Sequence, residues 1–408
     1  MKTKQNSSDE LRWNDKMNMK KKVISAGTLV MDVIPEFYPE EGTGERKNAG
    51  GTVYLKNIAT ALGGSVGNTG LAMHDLGADV TLFSRVGDDK FGVIVEEALK
   101  ETGCKYQVSV SGDLHTSMSI VVAYPHQDRM ILHSRGASQR YCEDDIPERL
   151  LCENELLHFG YPTGMPCMFE DDGETLSRIF RKVKDAGLTT SMDTSFPGIQ
   201  TPAGIADWRL ILKKTLPYVD LFLPSFEEIY LMLHREEYLK KLDVYPEMKM
   251  DQIFSIELVS KMAEELMQMG AAIVVIKCGE KGAYLRTGSE ERIKRMGKGC
   301  CGIGWERKEL FTTPYQFEEI ISTNGAGDTF VAGFLMGVLA EMNPEETVNL
   351  ASACAAYRIS RRNLREIKDY HEIEEKVIKG GKKMQAEDFD GWTYNEQYHL
   401  MEKRQGER

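Results

Sequence analysis

The chain has 408 residues, 41% of them hydrophobic, and a formal net charge of −12. That size and apolar content suffice for a globular core, and the dispersed acids exclude bulk binding to nucleic acid or to an anionic membrane surface. Eight cysteines with no CxxC pair, and eight histidines without ligand spacing, exclude a zinc site and read as reduced thiols.

Residues 1–21 are polar and charged and lack an apolar h-region, so they read as a loosely attached arm and not as a signal peptide. No apolar run reaches the length of a membrane span, and cytoplasmic residence is the expectation. Ordered pattern begins with an apolar strand over 23–32, which ends in Asp32. Residues 33–55 are extended and rich in Gly, Glu and Pro. Gly63-Gly64-Ser65-Val66-Gly67-Asn68 then feeds a helix from Thr69 to Leu76. Glycines there let backbone approach a ligand closely, and Asn68 offers both a donor and an acceptor to a hydroxyl; the same turn also serves simply to start a helix.

Apolar strands recur at 80–86, 156–159, 190–193, 218–223 and 272–276, separated by helical patterns such as Leu176, Ile179, Phe180 and Val183. Near-continuous apolar strands between amphipathic helices predict a mostly parallel sheet with helices on both faces. Residues 105–133 alternate with period two and predict antiparallel, partly exposed strands. With 33–55 they form a small β lid over the strand edges, spanning about 33–55 and 105–135. Residues 286–312 and 370–408, polar and charged, read as a surface insertion and a C-terminal extension.

The segment Thr323-Asn324-Gly325-Ala326-Gly327-Asp328-Thr329-Phe330 carries the most chemistry. It runs small residues into an apolar helical pattern of Phe330, Val331, Phe334, Leu335, Val338 and Leu339. Free N–H groups and the positive helix end meet at such a turn and make an anion site. An acid at its mouth serves either as a cap or as the base that takes a proton from a hydroxyl during phosphoryl transfer. Gly297-Lys298-Gly299-Cys300-Cys301-Gly302 fits G-x-G-x-x-G but follows no buried strand, so it reads as a flexible insertion loop. No P-loop motif occurs. Gly333 and Gly337 read as a close helix contact, and Met262, Leu266 and Met269 as an ordinary core face.

Two blocks about 260 residues apart together resemble the ribokinase-like (PfkB) family of carbohydrate and nucleoside kinases. They are Gly63-Gly64 … Gly67-Asn68 … Leu76-Gly77-Ala78 … Gly87-Asp88-Asp89 … Gly92, and Gly325-Ala326-Gly327-Asp328-Thr329-Phe330. The resemblance implies a three-layer α/β/α sandwich with a mostly parallel central sheet and a β lid. It places a kinase domain at 22–369, outside which the arm and the extension fall.

The implied reaction moves the ATP γ-phosphoryl group to a hydroxymethyl group of a sugar or sugar derivative. A nucleoside or other hydroxymethyl compound, and a non-catalytic sugar sensor, are the alternatives. By resemblance Asp328 is the base and Gly325, Ala326 and Gly327 form the anion hole. Asp32, Gly64 and Asn68 hold the substrate. Asp193, Lys277, Gly279, Gly282 and Asn324 lie at the nucleotide, and Glu228 orders water around Mg²⁺. Ser225, Ser322, Ser352 and Asn363 depart from the family pattern near the metal, the nucleotide and the monovalent-cation loops, which leaves K⁺ dependence open. The partner expected is a small sugar, with no nucleic acid and no membrane, and the lid strands suit pairing of two copies as a homodimer.

Overall fold

The computed structural model describes residues 21–38, 52–124, 130–246, 249–299, 304–317, 319–361 and 370–404. Among these residues, eleven strands form one sheet and four a second, smaller one. Seven neighbouring strands of the large sheet are parallel, in the spatial order Lys105–Ser111, Asp79–Gly87, Lys22–Gly27, Leu156–Gly160, Thr189–Met192, Leu221–Phe222 and Ile273–Lys277. Their sequences are apolar on both sides because both faces are covered. Val23 and Val275 point into one core, and Ile24 and Ile276 into the other. The first core lies under the helices Ala326–Leu339 and Pro344–Ile359, the second under Glu174–Asp185, Trp208–Thr215, Phe226–Leu233 and Ile256–Gln268. The expected three-layer sandwich is therefore present.

Gly333 and Gly337 lie where the helices Ala326–Leu339 and Pro344–Ile359 meet. A Cβ on Gly333 would come 2.7 Å from Cys354 Sγ, and one on Gly337 2.8 Å from Thr347 Cγ2. The small-residue stripe thus permits close helix packing, as its spacing suggested.

The small sheet is ordered Leu55–Gly63, Val30–Phe37, Met118–Val122, Met130–Ser134. It projects from the carboxyl edge of the parallel strands and forms the lid. Lys105–Ser111 does not belong to it. That segment pairs in parallel with Asp79–Gly87 as the edge of the main sheet, where one face meets solvent and the alternation of an exposed strand results. Residues 39–51 and 125–129, within the expected lid, lie outside the described residues, as do 1–20 of the arm.

The expected insertion at 286–312 is also corrected. Ala283–Thr287 and Glu309–Thr312 are antiparallel strands of the main sheet, and Trp305 is buried between them and the helix layer. Their charges are tolerated because Arg286 and Glu309 sit opposite each other in register. Gly297 is not in a loose loop: its backbone packs so tightly on Leu188 that a Cβ would come within 2.1 Å of the Leu188 carbonyl carbon. Cys300, Cys301 and Gly302 lie outside the described residues. The C-terminal extension adds two further strands, Trp392–Asn395 and Leu400–Lys403, to the same sheet. None of the described helices is long and apolar enough to cross a membrane.

Candidate active site

The carboxyl ends of the parallel strands open into a cleft of about 530 Å³ beneath the lid. This is the edge at which open α/β sheets bind ligands, because strand ends and helix starts converge there. Each expected residue arrives from a different element. Asp32 sits at the base of the lid strand Val30–Phe37, Asp193 just past Thr189–Met192, and Lys277 at the end of Ile273–Lys277. Asn68 comes from the turn of helix after Gly64, Glu228 from the first turn of Phe226–Leu233, and Asp328 from the first turn of Ala326–Leu339.

Asp328 is the focus of the cleft. Asn68 Nδ2 donates to its Oδ2 at 3.0 Å, Thr69 Oγ1 donates to Oδ1 at 3.1 Å, and the Tyr161 hydroxyl donates to the same Oδ1. Three donors fix the carboxylate and leave Oδ2 one lone pair for a ligand hydroxyl. Burial and the Asp328 charge push Tyr161 far above the ordinary phenol range, so it remains a donor. Asn68 Oδ1, by contrast, is buried with no hydrogen-bond partner. An orphaned acceptor beside Asp328 is costly unless a ligand donates to it.

Three residues before Asp328, Gly325 adopts the left-handed conformation (φ 72°) at the helix N-cap. The first N–H groups of the helix have no acceptor within it and point outward at this turn. Gly327 needs no unusual backbone here. A Cβ on it would touch only Lys277, at ordinary contact distances of 3.8–3.9 Å. No packing within the protein therefore demands glycine at 327, and a ligand pressing on the backbone does explain it.

Lys277 Nζ lies against this turn and donates to both Asp193 carboxylate oxygens at 2.8 Å. Burial pulls its ammonium down, but Asp193, Glu228 and Asp328 outweigh burial and hold it above its ordinary value. Asp193 is itself pushed up, by burial first and then by Glu228 and Asp328, against the pull of Lys277. The ion pair persists because each member has the other as its nearest compensation.

Glu228 accepts from Ser225 N and Thr194 Oγ1, both at 2.9 Å and both on Oε2. Ser225, where the family pattern has Asn, caps the helix that carries Glu228. At the lid end, burial pushes Asp32 up to about 6, while a hydrogen bond with Ser119 opposes the shift and the Asp328 charge adds to it. Gly63 is required beside it, since a Cβ there would fall 2.2 Å from Asp32 Oδ2. His133 Nδ1 lies 3.1 Å from Ser119 Oγ, and burial, with the Arg135 charge, keeps its imidazole below the usual value.

The cleft thus gathers Asp32, Gly64, Asn68, Asp193, Glu228, Lys277, Asn324, Gly327 and Asp328. Gly325 and Ala326 adjoin it. Gly279 and Gly282 do not line it; they lie one turn beyond Lys277, near the C-terminal tail. Asn363 is outside the described residues. Thr69, Tyr161, Thr194, Ser119 and His133 went unread in the sequence. Tyr161 and Thr194 follow the ends of buried parallel strands, a position that marks them once the strands are known.

Comparison with known proteins identifies the fold and the family. A 22% identical relative, the ATP-dependent 6-phosphofructokinase of Thermoanaerobacterium thermosaccharolyticum, aligns over 87% of this chain and 92% of its own. The ribokinase of Arabidopsis thaliana is 23% identical, over 82% and 75%. Among solved structures, Arabidopsis thaliana ribokinase complexed with ribose and ATP superposes with a TM-score of 0.62 at 20% identity, covering 88% of this chain and 98% of that one. Fructokinase with bound ATP from Xylella fastidiosa gives 0.63 at 16% identity over similar shares. The family model described as pfkB family carbohydrate kinase matches residues 20–369. With that span of the chain matched and its fold shared, this protein belongs to the pfkB family of carbohydrate kinases.

Proposed function

We propose that this kinase transfers the γ-phosphoryl group of ATP to a hydroxymethyl group of an uncharged sugar. The observation that carries the proposal is the position of Asp328. It stands at the mouth of the helix-terminal anion turn, held by three donors, next to the unpartnered Asn68 Oδ1. The acceptor hydroxyl donates its proton to Asp328 Oδ2 as its oxygen bonds to the γ-phosphorus. The bond from that phosphorus to the β-bridging oxygen breaks, and ADP leaves. N–H groups at Ala326–Gly327 and the Lys277 ammonium face the charge that develops on the transferring group. Asp32 and Asn68 hold the other sugar hydroxyls.

The carboxylates suit a magnesium ion bound mainly through phosphates and water. Among the described residues no group of three His, Cys, Asp or Glu is placed to hold a metal directly. Glu228 has both of its hydrogen bonds on Oε2, leaving Oε1 for a metal-bound water. Bound there, the ion would neutralise phosphate charge.

An uncharged acceptor follows from the charge balance of the cleft. Asp32, Asp193, Glu228 and Asp328 face one lysine, Lys277, which Asp193 already engages. Among the described residues of the cleft no Lys or Arg stands at the lid end to meet a phosphate or a carboxylate. A second acceptor class, a hydroxymethyl group carried on a heterocycle, is favoured by Val30, Ile131 and Phe196, which line the same end. Tyr54, Ile58, Met130 and Leu132 stand exposed on the lid and would pair two copies in the cytoplasm, which sedimentation would reveal as a dimer.

The test is ADP release from ATP·Mg²⁺ over a panel of neutral sugars, sugar phosphates, sugar acids and nucleosides. Asp328→Asn should lower turnover by about 10²–10⁴-fold while keeping ligand affinity, since it removes a proton acceptor and almost no volume. Near-normal turnover in that variant would remove Asp328 from the mechanism. Sugar binding without turnover in the wild type would make the protein a sensor.

A further inference from the structure

The C-terminal tail lies beyond the residues matched by the family model, yet it is built into the enzyme. Gln316 N–H donates to Lys382 O at 2.7 Å and Met384 N–H to Pro314 O at 2.9 Å, so the tail runs antiparallel to the segment that leads into the anion turn. Lys383 fastens it there. Its Nζ donates to Thr312 Oγ1 at 2.5 Å, to Asn349 Oδ1 and to His399 O, and lies 5.3 Å from the Tyr315 ring centre. Lys281, in the turn after Lys277, pairs with Glu387 at 3.0 Å. The tail therefore touches both segments that flank the far side of the anion turn.

Between tail and sheet lies a slot of about 80 Å³. Phe254, Phe311 and Thr313 form its inner side, and Met384, Gln385 and Phe389 its outer side. One water needs only about 10–15 Å³ by this measure, so the slot is larger than a hydration site. Phe311 meets Phe254 and Phe389 at ring-centre distances of 5.8 and 5.3 Å, so the walls are aromatic.

Strand order locates the slot relative to the chemistry. Tyr161, Asp193 and Lys277 end successive parts of the sheet, and the slot lies at the top of the next two strands, Ala283–Thr287 and Glu309–Thr312. Two strand spacings amount to roughly 10 Å. The acceptor occupies the lid end, so the donor must extend from the anion turn in the opposite direction, along this line. Its phosphates then lie at Gly327 and Lys277, and its base falls on the slot.

We propose that residues 383–389 form the outer wall of the site for the donor's heterocyclic base, and that the tail thereby sets which phosphate donors the enzyme accepts. The inference rests on the kinase reading above. Aromatic walls take the flat face of a base, and Gln385, Glu387 and Lys281 at the rim offer polar groups to its edge.

Calorimetric titration of the full-length protein with ATP and with inorganic triphosphate tests it, in wild type and in Gln385→Trp. Gln385 is exposed, so the indole fills the slot without disturbing the core. The wild type should bind ATP about tenfold or more tightly than triphosphate, the worth of one stacked base. Gln385→Trp should abolish that advantage and leave triphosphate affinity unchanged. Equal binding of the two ligands by the wild type, or ATP affinity unaffected by the indole, would overturn the tail's role and leave the kinase reading standing. Failure of the wild type to bind either ligand would overturn both.

Discussion

Replacing Asp32 with Asn should make the protein more stable and a poorer enzyme. Asp32 is 8% exposed, and burial raises its carboxyl from 3.8 to about 6. A folded-state value above the unfolded one means the native protein holds a proton that the unfolded chain has released. Stability is thus lost as pH rises from about 4 to about 6, and the penalty is fully present above that window. About two units at 1.36 kcal/mol each give a penalty of ~3 kcal/mol at neutral pH, which Asn does not incur. Asn keeps the shape and can still accept from Ser119, so most of that gain should appear.

Urea unfolding near pH 7.5 should show Asp32→Asn more stable by ~1–3 kcal/mol, and the difference should shrink towards zero near pH 4. KM for the sugar should rise about tenfold or more, because a hydroxyl bonded to a charged acceptor is worth ~1.5–3 kcal/mol. A variant less stable than the wild type at neutral pH, or a difference independent of pH, would refute the reasoning. Either result would mean that Asp32 is compensated within the protein and not held for a ligand.

Two further outcomes bear on the donor side. Gly327→Ala places a methyl where only Lys277 is near, so helix propensity should raise stability by ~0.5–1 kcal/mol while KM for ATP rises; an unchanged KM would mean no ligand approaches that backbone. Lys277→Met orphans the buried Asp193 and should cost ~3–5 kcal/mol in unfolding experiments. Adding Asp193→Asn should recover most of the stability and none of the activity. Activity recovered along with stability would reduce Lys277 to a structural role.

The parallel sheet was legible because burial on both faces writes itself as unbroken apolar runs, and the turn into Ala326–Leu339 because Gly325 takes the left-handed conformation that favours glycine. The edges of the sheet were not. Lys105–Ser111 has one wet face and reads like a lid strand. Glu309 and Arg286 look like surface residues until their cross-strand pairing is seen. The tail strands hide for the same reason, since Trp392, Leu400 and Met401 are isolated apolar residues in a polar stretch. In the site, residues at turns with restricted backbone could be found by composition. Tyr161 and Thr69 could not, because their meaning lies in a carboxylate far along the chain.

The tail strand Leu400–Lys403 covers the open side of Glu309–Thr312, with Phe311 opposite Met401. During synthesis the ribosome must therefore add residues 400–403 before this edge is closed. Until then Glu309–Thr312 presents unpaired backbone groups beside a half-made aromatic slot, a state prone to pairing with other chains. A message cut short after residue 369, where the family match ends, would yield a protein with Asp328 and its turn encoded but its sheet unsealed. Closure of the sheet is thus tied to the arrival of residues 400–403, and nascent or truncated copies that lack them should be the ones that chaperones and proteases retain.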